Sequence, residues 1–143
     1  MKTRLLPLAA IVGLTACSQS PETIVDRSSK ACGEKPNCVS TLDDRSDYQL
    51  APYFLKEAVT IDNIEVSALK LPGAKVAVKD TQYIRIECTS QILRFVDDLE
   101  LRVSDNQLIV RSESRVGYSD FGVNRERADQ LRELLIKDGL LTQ

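Results

Sequence analysis

The spacing of apolar residues changes along the chain, and each change predicts a different secondary-structure element. In residues 60–73, "TIDNIEVSALKLPG", apolar side chains recur at helical spacing. Asp62, followed three residues later by Glu65, has the pattern of a capping box, and Pro72 with Gly73 ends the element. The sequence therefore predicts a helix with one apolar face, formed by Ile61, Ile64, Ala68 and Leu71.

From residue 74 the period becomes two, which is typical of strands with one buried face. Four such runs follow, namely "AKVAVKD", "TQYIRIECTS", "FVDDLELRVS" and "QLIVRSES", and "SDNQ" forms a tight turn before the last. Short links between consecutive strands favour an antiparallel meander. The side chains predicted to point inward are Val76, Val78, Ile84, Ile86, Cys88, Phe95, Leu99, Leu101, Val103, Leu108 and Val110.

The last element is a second helix, "RERADQLRELLIKDG", for which Asn124 is the expected N-cap and Gly139 the C-terminal stop. Its apolar stripe consists of Ala128, Leu131, Leu134, Leu135 and Leu141. The order helix, four strands, helix predicts an α+β fold. We expect an antiparallel four-stranded meander with two helices packed on one face.

The first residues, "MKTRLLPLAAIVGLTAC", have the features of an export signal. Lys2 and Arg4 precede an apolar run shorter than the about 20 residues that span a bilayer. "LTAC" resembles the bacterial lipobox, which implies cleavage before Cys17 and acylation of that cysteine. Ser18 follows in place of the aspartate that commonly retains lipoproteins at the inner membrane, so an outer-membrane location facing the periplasm is expected. The alternative is a secreted protein cut after Ala16.

These features divide the chain into three parts. Residues 1–16 are a predicted lipoprotein signal peptide, residues 17–31 a lipidated N-terminus with a flexible tether, and residues 32–143 a single α+β domain. Residues 32–50 are turn-rich and are expected to wrap the domain surface. The chain has a formal net charge of −2 and lacks a long basic run, which argues against a nucleic-acid partner.

Cys32 and Cys38 enclose only "GEKPN". In an exported protein such a close pair is more often a disulfide than two free thiols. A zinc site would need further ligands, but the chain has no histidine and Cys88 is the only other cysteine of the predicted mature domain. We therefore expect a disulfide, a buried Cys88, and neither a metal nor a cofactor.

Residues 111–127, "RSESRVGYSDFGVNRER", are rich in arginine and hold Gly117 and Gly122, which suit a sharp connection. Guanidinium groups bind carboxylates and phosphates in fixed bidentate geometry. In one interpretation Arg115 and Arg125 clamp the strand end to the helix start. The carboxylates available for that clamp are Asp97, Asp98 and Asp120. In the other, the same arginines and the N–H groups of the helix N-terminus form an anion site.

Strand parity separates the polar candidates. Asp97 shares the parity of Leu99 and points toward the core, whereas Asp98 points the opposite way. The two aspartates therefore cannot act together as an acid/base pair. Ser112 and Ser114 share the inward parity, and Arg111 and Glu113 have the opposite parity.

Three segments, "CGEKPNCVS", "FVDDLEL" and "RSESRVGYSDFGVNRER", resemble the signature segments of a bacterial and plastid family known as domain of unknown function fourteen-ninety-nine. The resemblance spans residues 32–139 and implies no established activity, substrate or cofactor. With Tyr118, the motif positions form a candidate binding or structural cluster. The positions on family motifs are Cys38, Asp97, Asp98, Arg111, Ser112, Ser114, Arg115, Gly117, Asp120, Gly122, Asn124 and Arg125.

Catalytic patterns are sparse. The absence of histidine excludes Ser–His and Cys–His nucleophiles, and no phosphate-binding glycine loop occurs. Ser67 and Lys70 match Ser-x-x-Lys, but the companion motifs are missing, so an ordinary amphipathic helix is favoured.

The sequence thus predicts a lipid-anchored envelope protein that is a non-catalytic binding or structural module, with an envelope protein as a possible partner. The alternative is a small-anion binding protein or an enzyme. It would use Asp97, Ser112, Ser114, Arg115, Tyr118 and Asp120. An open pocket walled by these groups would favour the alternative, and a filled ion-pair cluster would favour the module.

Overall fold

The computed structural model describes residues 25–142 of the 143-residue chain. They form an α+β domain, as predicted. Cys17 and the predicted signal peptide lie outside the described residues. No helix of the described part is long and apolar enough to cross a membrane. In chain order the elements are β1 (Cys38–Ser40), β2 (Tyr53–Phe54), α1 (Ile61–Ala68), β3 (Ala74–Lys79), β4 (Tyr83–Thr89), β5 (Val96–Ser104), β6 (Gln107–Ser114) and α2 (Val123–Lys137).

The predicted meander is confirmed, because β3, β4, β5 and β6 pair in sequence and all pairs are antiparallel. The sheet has two further strands: β1 lies within the turn-rich segment and β2 just after it. β1 pairs with β6 at Cys38↔Glu113, and β2 pairs with β6 at Tyr53↔Leu108. Without them β6 would be an edge strand with unpaired backbone groups. Strands of two or three residues are too short to show a period, which explains why the sequence pattern did not reveal them.

The two helices pack on one face of the sheet, as expected, and the core lies between them and that face. Two side chains predicted to point inward are exposed instead: Val78 is 41% exposed and Phe95 50% exposed. The register of β3 with β4 shifts between Val76 and Val78, which ends the alternation there. Phe95 precedes β5 and follows Arg94, whose φ of 56° breaks the extended backbone.

Both helix starts differ from the prediction by two residues. In α1 the N-cap is Thr60, whose N–H donates to Asn63 Oδ1 at 3.0 Å, so Asp62 lies inside the helix. In α2 the N-cap is Gly122, with a φ of 87°, and Asn124 lies in the first turn. The Asn124 side chain is used in the interior of the domain, as described below.

The second face of the sheet is covered in part by residues that the sequence assigned to the tether. The Arg27 N–H donates to Glu100 Oε1 at 2.8 Å, Asp26 pairs with Arg102, and Ser28 is fully buried. These contacts are polar and join residues 73 to 76 positions apart, so they leave no apolar period in the sequence. The packed domain therefore begins by Asp26, within the predicted tether.

The predicted disulfide between Cys32 and Cys38 is present, with a Cα–Cα distance of 5.7 Å. Asp43 anchors the loop, because its carboxylate accepts hydrogen bonds from the Cys32 N–H and from Arg45 Nε, both at 2.9 Å. The hydrogen bonds of Arg45 hold the pKa of Asp43 well below its usual range. Cys88 is a free, buried thiol, as predicted, and burial raises its pKa to about 11.

We expect Gly73→Ala to destabilise the domain by at least about 2 kcal/mol, because Gly73 combines a positive φ of 67° with a close approach. An added Cβ would lie 2.1 Å from the backbone oxygen of Thr89. Gly33→Ala is the control, since nothing lies within 4 Å of its added Cβ. Chemical denaturation of both variants measures the difference, and equal midpoints would contradict the prediction.

Candidate functional site

The sheet divides the candidate cluster into two sets, because successive residues of a strand point to opposite faces. Asp97 and Ser112 point toward the helices, and Asp98 and Arg111 point to the other face. The predicted separation of Asp97 from Asp98 is therefore present. The twelve motif positions and Tyr118 do not surround one common pocket.

On the helix side, a group of hydrogen-bonded side chains joins β5 and β6 to α2. We call it the polar hub, and it consists of Asp97, Ser112, Ser114, Asn124 and Arg127. Asn124 is fully buried; its Oδ1 accepts from Ser112 at 2.6 Å, and its Nδ2 lies 2.9 Å from Ser114 Oγ. A buried amide is stable only when its donors and acceptors are satisfied, so the hub ties the helix start to the sheet.

Arg127 completes the hub and was missed in the sequence analysis. It donates to Asp97 Oδ2 at 2.6 Å and to Asn124 Oδ1 at 2.7 Å, and its side chain is only 12% exposed. Arg125, which was expected to clamp a carboxylate, instead donates to the backbone oxygens of Gln49 and Asp47. Helical spacing could have identified Arg127 in the sequence. It directly precedes Ala128 of the apolar stripe, and it follows Asn124 by three residues, which places the two side chains on the same side of the helix.

The turn between β6 and α2 is the sharp connection that Gly117 and Gly122 predicted. Gly117 and Gly122 have φ values of 86° and 87°. Asp120, two residues before the N-cap, supports the helix start, because its carboxylate accepts from the N–H groups of Gly122 at 3.0 Å and Asn124 at 2.9 Å. Tyr118 is 70% exposed and takes no part in the hub.

The opposite side of the sheet carries side chains of alternating charge. We call this set the charged face, and it consists of Arg27, Arg85, Glu87, Asp98, Glu100, Arg111, Glu113 and Arg115. Across the strands Arg85 is registered with Glu100, and Glu100 with Arg111. These three and Asp98 are at most 5% exposed, so the ions lie in the interior of the domain rather than on its surface.

Arg115 contacts Asp98, as the clamp interpretation expects. Its Nε lies 2.9 Å from one carboxylate oxygen and its terminal nitrogen 2.7 Å from the other, which is a bidentate pair. The same guanidinium reaches Glu87 at 2.5 Å. Hydrogen bonding to Asp98 raises the pKa of Arg115 above its ordinary value. The guanidinium is therefore already engaged by carboxylates of the protein.

The remaining ions of the charged face also pair with each other. Arg111 lies 2.8 Å from Glu113 and 3.4 Å from Glu100, while Arg27 reaches Glu113 at 2.5 Å. Four arginines face four carboxylates, so the set carries no excess charge to attract an ion. Arg85 is the least satisfied member: its Nε lies 3.7 Å from Asp98 Oδ1 without a hydrogen bond.

The largest cleft borders the charged face and has a volume of about 960 Å³. Of the motif residues, it is lined by Asp98, Ser114 and Arg115, all of which are engaged in contacts within the protein. Within residues 25–142, no group of three or more candidate ligand side chains is placed to hold a metal ion. The cleft is a broad surface depression beside an ion-pair cluster.

The Ser-x-x-Lys pair has a structural role in the fold. Ser67 is 1% exposed and donates to the carboxylate of Asp138, and Lys70 Nζ lies 2.6 Å from the same carboxylate. These contacts connect the end of α1 to the residue that follows α2. Hydrogen bonding from Lys70 and Ser67 lowers the pKa of Asp138.

We expect Arg127→Ala to cost about 3–5 kcal/mol of stability, because it leaves the buried carboxylate of Asp97 unpaired. Arg125→Ala is the matched control two residues away and should cost less than about 1 kcal/mol, since its contacts are exposed. Chemical denaturation followed by circular dichroism measures both. Similar losses for the two variants would show that the hub does not depend on this ion pair.

The comparisons with known proteins agree with the resemblance seen in the motifs. The family model described as protein of unknown function (DUF1499) matches residues 28–135, which is most of the chain. Neither a curated protein nor a solved structure gives a significant match. The matched range contains both the polar hub and the sheet residues of the charged face. This chain therefore belongs to the DUF1499 family, whose function is unknown.

Proposed function

We propose that this protein is a lipid-anchored component of the bacterial cell envelope, held at the outer membrane and facing the periplasm, that acts as a non-catalytic binding or structural module. The observation that carries the proposal is how the side chains of the polar motif residues are paired. Those on the strands are paired with one another or with Arg127, and the motif residues do not surround one common pocket.

Three of the strand side chains that an enzyme could use, Ser112, Asp97 and Asp98, are withdrawn from solvent. Ser112, the most buried candidate nucleophile, is fully buried and donates to Asn124. Asp97 and Asp98 lie on opposite faces and are each held by an arginine. A general acid or base must reach the proton that it transfers. Of these three groups Asp98 lines the cleft, and both of its carboxylate oxygens are bonded to Arg115 there.

The anion-binding alternative is less well supported. An anion site requires arginines with free donors and a local excess of positive charge. Arg115 is committed to Asp98 and Glu87, and the charged face is electrically balanced. Arg125 donates to two backbone carbonyl groups. The motif arginines therefore serve the fold in this proposal.

The proposed location depends on two features of the sequence and is consistent with one of the structure. The lipobox-like "LTAC" and the export signal argue for acylation of Cys17. The disulfide between Cys32 and Cys38 fits the oxidising compartment to which such a signal leads.

The clamp and the anion site make opposite predictions for Arg115. We expect Arg115→Ala to cost about 1–3 kcal/mol, less than a fully buried pair, because its side chain is 34% exposed while Asp98 is buried. Arg115→Lys should recover part of the loss, since an ammonium cannot make the bidentate contact. Thermal melts with and without inorganic phosphate provide the measurement.

A loss of stability that does not depend on phosphate supports the clamp. If Arg115→Ala melts like the wild type, and phosphate stabilises only the wild type, the anion site is correct and the non-catalytic module must be reconsidered.

The lipid anchor is tested at Cys17. Cys17→Ser should prevent acylation, so the variant should incorporate no radiolabelled palmitate and should leave the membrane fraction or accumulate as uncleaved precursor. Cys88→Ser is the control, because this cysteine is buried within the domain and should leave labelling unchanged. Normal labelling of Cys17→Ser would exclude the anchor at this position.

A further inference from the structure

One end of the domain displays apolar side chains that the fold does not use. Two loops form this end, residues 90–95 between β4 and β5 and residues 115–122 between β6 and α2. We call it the apolar end and define it by the loop residues Ile92, Leu93, Tyr118 and Phe121. Their exposed fractions are 89%, 67%, 70% and 96%, respectively.

The two loops are neighbours in space. The Arg115 N–H donates to the backbone oxygen of Val96, where the first loop ends. A small cleft between the first loop and the start of α2 is lined by Ser90, Gln91 and Val123. Because β5 begins where β6 ends, the four apolar side chains lie at the same end of the sheet although they come from two separate parts of the chain.

Each loop contains a bulky residue in the left-handed region of backbone space. Phe121 has a φ of 55° and Arg94 a φ of 56°. Such conformations are unfavourable for side chains of this size and persist only where the surroundings hold them. Here hydrogen bonds do so, from Phe121 N to Ser119 Oγ at 3.2 Å and from Phe95 N to Ser90 Oγ at 2.9 Å. The apolar side chains are therefore held on defined turns. Phe121 has no burial in the core to offset its backbone strain, because its side chain is 96% exposed.

The position of the N-terminal segment indicates what covers this surface. Val25 lines the large cleft together with Asn37 and Arg115, and Asn37 Nδ2 lies 3.4 Å from the backbone oxygen of Gly117 in the second loop. Cys17 precedes Val25 by eight residues, and a fully extended chain of that length spans at most roughly 28 Å. The described segment crosses the charged face, and Asp26 pairs with Arg102 toward the other end of β5, so a lipid on Cys17 keeps the bilayer within reach of the apolar end.

We propose that the apolar end docks into the surface of the bilayer that holds the lipid anchor, an inference that rests on the proposed lipidation of Cys17. The apolar tips enter the headgroup region, and Tyr118 suits that boundary because it combines an aromatic ring with a hydroxyl. Arg94 lies within the first loop, where its cation complements anionic headgroups beside the apolar contact. Beside the second loop the charges balance, because Lys35 adjoins the exposed Glu34.

A membrane fits this surface better than a protein partner does. Protein partners are recognised by packed, complementary patches with a buried centre. The apolar end instead consists of two turns that project separate side chains, which a fluid headgroup layer can surround. Docking would fix the orientation of the domain on the bilayer, which the lipid alone cannot do.

The chain contains no tryptophan, which allows single fluorescent reporters to be placed in it. Phe121→Trp and Ile92→Trp report on the two loops. Phe54→Trp is the matched control, because Phe54 is 45% exposed and pairs with Gln107 beside the β5–β6 turn, at the opposite end of the sheet. All three positions are exposed, and thermal melts verify that each variant folds like the wild type.

The full lipidated protein is reconstituted into vesicles of phosphatidylethanolamine and phosphatidylglycerol, with and without brominated acyl chains. We expect blue-shifted emission and strong bromine quenching for Phe121→Trp and Ile92→Trp, and neither change for Phe54→Trp. Flotation of the same samples verifies that the protein is attached to the vesicles.

Membrane docking is wrong if the protein floats with the vesicles but the emission of either loop reporter matches that of Phe54→Trp. In that case the apolar end would be a surface for a protein partner. If the wild-type protein does not float, the lipid anchor itself is contradicted. The docking proposal is then also wrong, because it rests on that anchor. The two failures are distinguished by flotation.

Discussion

Three carboxylates on the central strand β5 must be compensated, because a buried unpaired charge is costly in the interior of a protein. Each recruits a different part of the chain. Asp97 is held by Arg127 of α2, Asp98 by Arg115 of the turn, and Glu100 by the backbone N–H of Arg27. The positions of the last helix, of the turn before it and of the N-terminal segment all depend on these pairings.

This requirement explains the composition of the stretch from residue 111 to residue 127. Arginine can satisfy two carboxylate oxygens at once in fixed geometry, as Arg115 does with Asp98, and a lysine in its place would satisfy fewer. The glycines supply the positive φ values of the turn. Most polar side chains of the stretch thus make contacts within the fold, whereas Phe121 is among its exposed side chains.

The sequence predicted correctly those elements in which the spacing of apolar residues repeats over enough positions to be recognised. The meander, both helices, the disulfide and the opposite orientations of Asp97 and Asp98 follow from spacing and parity. It missed β1 and β2, because two or three residues show no period, and it did not single out Arg127, whose partner Asp97 lies 30 residues away. It assigned Arg125 to a carboxylate, although helical geometry turns that residue toward Gln49.

The sequence by itself determined the order of the elements and the two faces of the sheet, since both depend on local periods of about 3.6 and 2 residues. The lipobox-like "LTAC", on which the proposed acylation of Cys17 rests, is a linear motif and needs no tertiary structure to be recognised. Only the tertiary structure decided which arginine meets which carboxylate and that the N-terminal segment joins the charged face. It alone brought two distant loops together at the apolar end. Partners separated by 17 to 86 residues along the chain are chosen by packing in three dimensions, which no local pattern encodes.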